Sequence, residues 1–411
     1  MDTIYTSIEL GSDTVKIIVM QLLNDKYYVL ASSSTKSEGI KKKQIVDTKK
    51  AVYSLKRAIK KVSGMLGFTI SKCIATVPLE NAKMSILSGS VNVINPTCIT
   101  EEDIKRVYKD ALIGQIKENE ELITADPICF NVDDTLNVDD PKDMSGDILK
   151  TKLVVSTTPK EPLYRLLEVF KLSNIEVVDI LYDIVGDYYN IATKELDKKV
   201  GAIINIGLDT TEVAIFNKAI MIKAGTINIG SKYVDKDLEY VFKTSRKEAR
   251  KIKENFAVSM EKDADKLDLY DFKVDGEEKS LNQQEISKVV EARIKEILKL
   301  SEKLIKDLTN REIRYIITTG GLSELTGFTN ILNDTFKEKV VLSNILIPGI
   351  RHNKYSSIMG AIKYYEKKEK LINRRVSMVN KNEKEMLVLS RKKELNNDNM
   401  INKIFGHFFE S

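Results

Sequence analysis

Two segments of this sequence place glycine, hydroxyl and acidic residues where a chain can grip a polyphosphate. Ile8-Glu-Leu-Gly-Ser-Asp-Thr-Val-Lys-Ile-Ile-Val-Met20 aligns without a gap with Ile204-Asn-Ile-Gly-Leu-Asp-Thr-Thr-Glu-Val-Ala-Ile-Phe216. Gly11 falls on Gly207, Asp13 on Asp209 and Thr14 on Thr210, with apolar residues agreeing on both sides. A glycine in a turn lets backbone N–H groups approach an anion with no Cβ in the way. Ser12, Thr14, Thr210 and Thr211 add hydroxyl donors. Lys16 adds charge, unless its place in an alternating strand turns it to solvent. A third glycine segment, Thr319-Gly-Gly-Leu-Ser-Glu-Leu-Thr-Gly-Phe328, follows an apolar strand. It is expected to open a helix, whose N-terminal N–H groups favour an anion or the polar edge of a ring. The plainer readings are two unrelated β-hairpins, and a Gly320-Gly321 turn that serves only strand–helix packing.

Each copy of the paired motif reads as strand, glycine-led turn, strand, so two related lobes facing one cleft are expected. Strands are expected at residues 4–10, 15–23 and 27–31, followed by a helix capped by Asp47 and ended by Gly67. A buried strand over 73–77 stops at Pro78. Residues 83–158 read as an inserted α+β unit. It has strands at 84–94, 122–132 and 148–156 and a helix whose first turn, Thr100-Glu-Glu-Asp103, is acidic. Pro159 opens a helix, and a strand at 175–180 follows. Residues 230–310 read as mostly helical, ending in an amphipathic helix at 283–308. A strand over 314–318 leads into the Gly-Gly segment, and a helix covers 356–370. Residues 371–397 are polar and read as a mobile linker.

The bulk properties set limits. A chain of 411 residues is long for one core and suits two lobes. Apolar residues make up 42% and charged residues 30%, an ordinary globular balance. The net charge of +5 is mild and dispersed, which argues against a nucleic-acid partner. Cys73, Cys98 and Cys129 lack metal-ligand spacing, and with two histidines a zinc site is not expected. Neither a signal peptide nor a membrane-spanning helix is expected. The last residues are different: Ile401, Ile404, Phe405, Phe408 and Phe409 fall on one face of a helix at 398–411. Such a helix suits the interface of an anionic membrane, helped by Arg391-Lys-Lys393, or else folds back on its own lobe.

The order turn, turn, Gly-Gly resembles the actin/Hsp70/sugar-kinase superfamily. The chain from about residue 4 to 365 resembles the FtsA family of actin-like bacterial division proteins. Gly11-Ser-Asp-Thr-Val-Lys-Ile17, Ile99-Thr-Glu-Glu-Asp-Ile-Lys-Arg-Val107, Met144-Ser-Gly146, Val290-Glu-Ala-Arg-Ile-Lys-Glu-Ile297 and the segment 319–328 carry the likeness. The resemblance implies an α/β, actin-like two-lobed ATPase fold with an inserted α+β subdomain in the first lobe and a C-terminal amphipathic helix. It implies subdomain 1A at 1–82 and 159–196, 1C at 83–158, 2A at 197–227 and 313–370, and 2B at 228–312. The linker is then 371–397 and the membrane-targeting helix 398–411.

The same resemblance implies ATP with Mg²⁺. Phosphates would lie at residues 11–14 and 16 and at Gly207, Leu208, Asp209, Thr210 and Thr211. The adenosine would be surrounded by Gly230, Arg250, Lys253, Gly320 and Gly321, with Ser323 in the same segment. The metal would be held weakly, through water, at Glu9 and Asn205, where the family carries aspartates. The hinge would lie near Tyr182 and Gly360. Subdomain 2B would dock the C-terminal peptide of FtsZ, with Arg293 on the docking helix. Filament self-association, other division proteins as partners and a peripheral place at the cytoplasmic face of the division septum are implied too. Glu9, Asn205, Leu208, Asp209, Tyr182-Asp183 and Arg250 all depart from the family pattern, so hydrolysis is expected to be slow or absent. The alternatives are an adaptor of pilus or secretion assembly and a weak ATPase or kinase of the same fold.

Overall fold

The computed structural model describes residues 3–267, 269–274, 277–341, 353–371, 377–380 and 382–383. β1 (Thr3–Leu10), β2 (Thr14–Leu23) and β3 (Lys26–Lys36) form an antiparallel meander. Every residue of β1 is buried, because the strand lies at the centre of a sheet covered on both faces. A short hairpin, β4 (Ile40–Lys41) and β5 (Gln44–Ile45), leads into α1 (Thr48–Leu66). The Asp47 carboxylate accepts the Lys50 N–H at 3.1 Å, and Gly67 ends the helix at φ +82°. β6 (Lys72–Val77) then lies parallel to β1.

The inserted unit follows: β7 (Lys83–Asn92), α2 (Glu101–Leu112), β8 (Glu120–Val132), β9 (Thr135–Val138) and β10 (Ile148–Pro159). Its sheet runs β7-β10-β8-β9, and α2 buries Ile104 and Val107 against Phe130 and Leu149 in a core of its own. A capping box between Thr100 and Asp103 starts α2. The chain returns through α3 (Lys160–Leu172), β11 (Glu176–Tyr182) and α4 (Asp183–Ile191), completing the first sheet in the order β11-β6-β1-β2-β3.

The second lobe repeats this plan. β12 (Val200–Ile206), β13 (Thr211–Asn217) and β14 (Ile220–Ile227) form a second meander. After α5 (Lys232–Phe242), α6 (Arg246–Asn255), β15 (Leu269–Val274), β16 (Glu277–Asn282) and α7 (Gln283–Leu308), β17 (Tyr315–Thr319) returns parallel to β12. α8 (Phe328–Phe336) and β18 (Val340–Val341) follow. The order β14-β13-β12-β17-β18 matches β3-β2-β1-β6-β11 strand for strand, each with three antiparallel strands and two parallel additions. α9 (Ser356–Leu371) crosses back to the first lobe and packs on α4.

Three segments differ from the sequence reading. The expected helical stretch 230–310 contains the hairpin β15–β16, whose Tyr270 packs against both Phe272 and Phe256. Gly320-Gly321 opens only a single 3₁₀ turn, Gly321–Glu324, because Thr326 is drawn into a bridge with Val258 and the helix starts again at Phe328. Inside the expected linker, Met378 and Val379 are buried. β6 pairs with β1 only from Ser7 to Glu9, and the Met378 N–H fills the open edge by donating to the Ile4 carbonyl at 2.9 Å. The helix at 398–411, with Ile401, Ile404, Phe405, Phe408 and Phe409, lies outside the described residues. Among the described residues no helix is long and apolar enough to cross a membrane.

Candidate functional site

The two glycine turns have the same construction. Gly11 N–H donates to the Thr14 carbonyl at 3.2 Å, and Gly207 N–H donates to the Thr210 carbonyl at 2.9 Å. A Cβ at Gly11 would sit 2.8 Å from the Thr14 oxygen, and one at Gly207 3.1 Å from the Thr210 oxygen. Both turns follow strands whose carboxyl ends point into the gap between the lobes, where ligands of open α/β sheets bind. The gap is a cavity of about 460 Å³, a volume suited to a small molecule.

Glu9, Gly11, Ser12, Asp13, Thr14, Lys16, Asn205, Gly207, Leu208, Asp209, Thr210, Arg250, Lys253, Gly320 and Gly321 all line it. Thr211, Gly230 and Ser323 do not; they shape the wall from behind. The Thr211 hydroxyl donates to the Ile229 carbonyl at 2.7 Å. A Cβ at Gly230 would meet the Leu208 carbonyl oxygen at 2.5 Å. The Ser323 hydroxyl donates to the Gly320 carbonyl at 2.7 Å, and Gly320 itself, at φ +93°, lies against the Ile206 backbone.

Several cations around the cleft are paired with carboxylates. Lys16 meets Glu9 at 2.7 Å, Lys253 meets Asp235 at 2.6 Å and Lys232 meets Asp209. Arg250, on α6 of the second lobe, holds Asp13 of the first turn and also Glu254 at 2.7 Å. Its hydrogen bonds keep the Asp13 carboxyl below the usual carboxylate range. The turn of the β4–β5 hairpin adds two residues that the sequence reading missed. Lys42 N–H donates to Asp209 at 2.9 Å, and Lys43 N–H donates to the Ser12 hydroxyl at 2.7 Å. The Lys43 ammonium reaches Asp183 and, at 2.6 Å, Glu212. Burial opposes its charge, but the Asp183, Glu212 and Glu9 carboxylates outweigh that and raise its pKa. On the cavity floor Asp187 accepts from Asn205 at 2.6 Å and from Thr319 at 2.8 Å. Burial, then the neighbouring Asp183, push its pKa up to about 7.

These contacts do not fit a resident Mg²⁺. Glu9 is occupied by Lys16 and Ser357, Asn205 is neutral and donates its amide, and an ammonium stands among the remaining carboxylates. Among the described residues no group of three or more acidic, histidine or cysteine side chains is arranged to hold a metal ion.

The residues expected at the hinge and at the docking face lie elsewhere. α4 and α9 cross at Gly186 and Gly360: a Cβ on Gly360 would fall 1.7 Å from the Gly186 carbonyl oxygen. Arg293, on α7 of the second lobe, binds Asp237 through two nitrogens at 2.6 and 2.8 Å. It borders a shallow groove with Tyr240, Val241, Phe242 and Val289, and Tyr240 is 85% exposed.

Two lobes of one strand plan, joined by crossing helices and each offering a glycine turn to a shared cleft, define an actin-like protein. Solved structures agree on that fold. PilM of a PilM–PilN type IV pilus biogenesis complex matches with a TM-score of 0.60 at 11% identity, over 87% of this chain and 98% of that one. ADP-bound MreB5 of Spiroplasma citri matches with a TM-score of 0.53 at 13% identity, over 90% and 99%. The model of the cell division protein FtsA matches residues 202–360, and that of the SHS2 domain inserted in FtsA matches 80–157; together they span more than half of the chain. The cell division protein FtsA of Bacillus subtilis is 25% identical, over 91% of this chain and 86% of its own length. That of Streptococcus pneumoniae is 27% identical, over 86% and 78%. The chain belongs to the FtsA family.

Proposed function

We propose that this FtsA-family chain binds ATP between its lobes, assembles into actin-like filaments and tethers FtsZ filaments to the cytoplasmic membrane at the division septum. The observation that carries the nucleotide reading is the pair of equivalent glycine turns, at the carboxyl ends of equivalent strands, bordering one cavity. The turns at 11–14 and 207–210 would hold the phosphates by backbone N–H groups, while Gly320, Gly321, Arg250 and Lys253 face the rest of the nucleotide. A structural neighbour, MreB5, is bound to ADP or AMPPNP in its own structures, which supports the reading. Turnover is slow or absent, since Glu9, Asp183 and Glu212 are tied to lysines and the Asp187 carboxylate is engaged by Asn205 and Thr319.

Family membership supports the remaining roles that we propose. The α7 face around Arg293 docks the C-terminal peptide of FtsZ, the helix at 398–411 lies in the anionic membrane surface, and further division proteins join the assembly. Burying one large apolar side chain contributes about 1.5–3 kcal/mol. Ordering a helix costs about 1–2 kcal/mol per residue. Single copies therefore bind membrane marginally, and filaments bind by avidity. The test is co-sedimentation of the chain with FtsZ and anionic vesicles. FtsZ should pellet with vesicles only when the chain is present, and Phe405→Glu should release both. FtsZ recruitment that survives Phe405→Glu contradicts the tether, and no recruitment at all favours an adaptor of another assembly.

A further inference from the structure

The carboxylates that close round the cleft enclose a cation supplied by the chain itself. Lys43 sits on the two-residue turn of the β4–β5 hairpin, where Lys42 and Lys43 adopt φ +49° and +60°. Such turns favour Asn-Gly, and a bulky residue in the left-handed region bears a conformational cost. The surrounding contacts hold the turn in this form. Its two N–H groups seat on Asp209 of the second turn and Ser12 of the first, and the Lys42 ammonium reaches Asn228 at 3.0 Å. The hairpin is thereby fastened to both lobes at the two phosphate-facing turns.

From that seat the Lys43 side chain passes Gly207, its Cε 4.0 Å from where a Cβ on that glycine would be. The ammonium ends between Asp183 at the start of α4 and Glu212 on β13, with its side chain only 12% exposed. Glu212 also accepts the Leu79 N–H at 3.1 Å, so this carboxylate is fixed by the first lobe on both oxygens. Carboxylates from the hinge and from the second lobe thus converge on one positive charge beside the anion-facing turns. Convergent carboxylates beside a polyphosphate site are the usual setting of a divalent cation, and here the charge at their centre is a side chain.

We propose that the Lys43 ammonium stands in for the divalent cation, so that the cleft takes a nucleoside triphosphate as the free anion, without a metal. This rests on the nucleotide reading given above. Lys43 acts as a binding residue: it offsets anionic charge between the turns and holds the lobes' carboxylates apart from the phosphates. A metal competes poorly, because it must displace a tethered cation held at high local concentration.

The test is titration of the full chain with ATP by calorimetry, once with Mg²⁺ and once with excess EDTA. Affinity in EDTA at least equal to that with Mg²⁺ is expected, because Mg²⁺ withdraws ATP from its free form. ATP binding seen only with Mg²⁺ overturns the tethered cation and leaves the nucleotide reading standing. Binding in neither condition overturns both. Lys43→Met, checked for folding by circular dichroism, should lose at least about tenfold in affinity in EDTA and recover part of it with Mg²⁺. A folded Lys43→Met chain with unchanged affinity in EDTA also overturns the proposal. Lys43→Arg, which keeps the charge, should bind better than Lys43→Met.

Discussion

The Arg250 guanidinium grips the Asp13 carboxylate through two parallel hydrogen bonds, Nη1–Oδ1 at 2.6 Å and Nη2–Oδ2 at 2.7 Å. This bidentate pair ties α6 of the second lobe to the first glycine turn of the other, and so spans the cleft. It also places a carboxylate at a turn that is otherwise built for an anion. A polyphosphate entering the cleft must either repel Asp13 or take Arg250 from it. Asp13→Asn removes the negative charge and frees the arginine. It should tighten ATP binding roughly five- to tenfold, about 1–1.4 kcal/mol, by calorimetry. An unchanged or weaker affinity would show that Asp13 does not compete with the phosphates.

The crossing of α4 and α9 leaves no room for a methyl group. Gly360→Ala would press Cβ into the Gly186 carbonyl oxygen at 1.7 Å, backbone against backbone, and should destabilise the chain by about 2–4 kcal/mol in urea unfolding. Gly64, inside α1, has open space around its Cβ position and ordinary helical φ. Gly64→Ala should therefore stabilise by about 0.5–1 kcal/mol. Equal effects at the two glycines would refute the close crossing as the cause.

Asp103 offers a pH-dependent readout of the inserted unit. Burial raises its pKa, but the N–H groups of Ile94 at 2.9 Å and Thr100 at 3.1 Å, the Thr100 hydroxyl and Arg106 outweigh this and lower it from 3.8. A folded-state pKa below the unfolded value gives stability that is present above about pH 4 and lost as pH falls through the folded pKa. Asp103→Asn should speed hydrogen exchange in α2 at pH 7, matching a loss of about 1–2 kcal/mol, with the gap to the parent chain closing as the pH falls through the folded pKa of Asp103. A gap that does not depend on pH would assign the effect to hydrogen-bond geometry alone.

Arg293 lies across two second-lobe elements, bonded to Asp237 of α5 and Glu296 of α7, with Tyr240 and Val241 exposed beside it. An acidic peptide can replace Asp237 as its partner. Arg293→Ala should weaken binding of an FtsZ C-terminal peptide roughly tenfold in fluorescence anisotropy, about 1.4 kcal/mol, with little change in thermal stability. Retained affinity would move the docking face away from α7.

Local signals carried much of the architecture in the sequence. The Asp47 and Gly67 caps, the acidic start of α2 at Thr100-Glu-Glu-Asp103 and the span 283–308 of α7 are set by nearest-neighbour chemistry and are read directly. The gap-free match of Gly11 to Gly207 exposed the duplicated lobes, because each copy keeps its turn within one hairpin. What stayed hidden depends on contacts far apart in the chain. Lys41-Lys42-Lys43 matches no local motif, and only the meeting of the two lobes turns Lys43 inward to Asp183 and Glu212. The resemblance puts Arg250 at the nucleotide, but its pairing with Asp13 shows only when α6 is laid against the first turn. The break at Thr326 arises from a bridge to Val258, and the burial of Met378 from the open edge at Ile4.

As proposed, the cleft between the lobes is a nucleotide site that binds without rapid turnover. Calorimetric titration of the purified full chain with ATP, with phosphate release followed on the same sample, tests it most directly. Saturable binding at one site per chain is expected, with phosphate release far slower than ordinary enzyme rates of roughly 1 per second. Absence of binding, or release at or above roughly that rate, would contradict it.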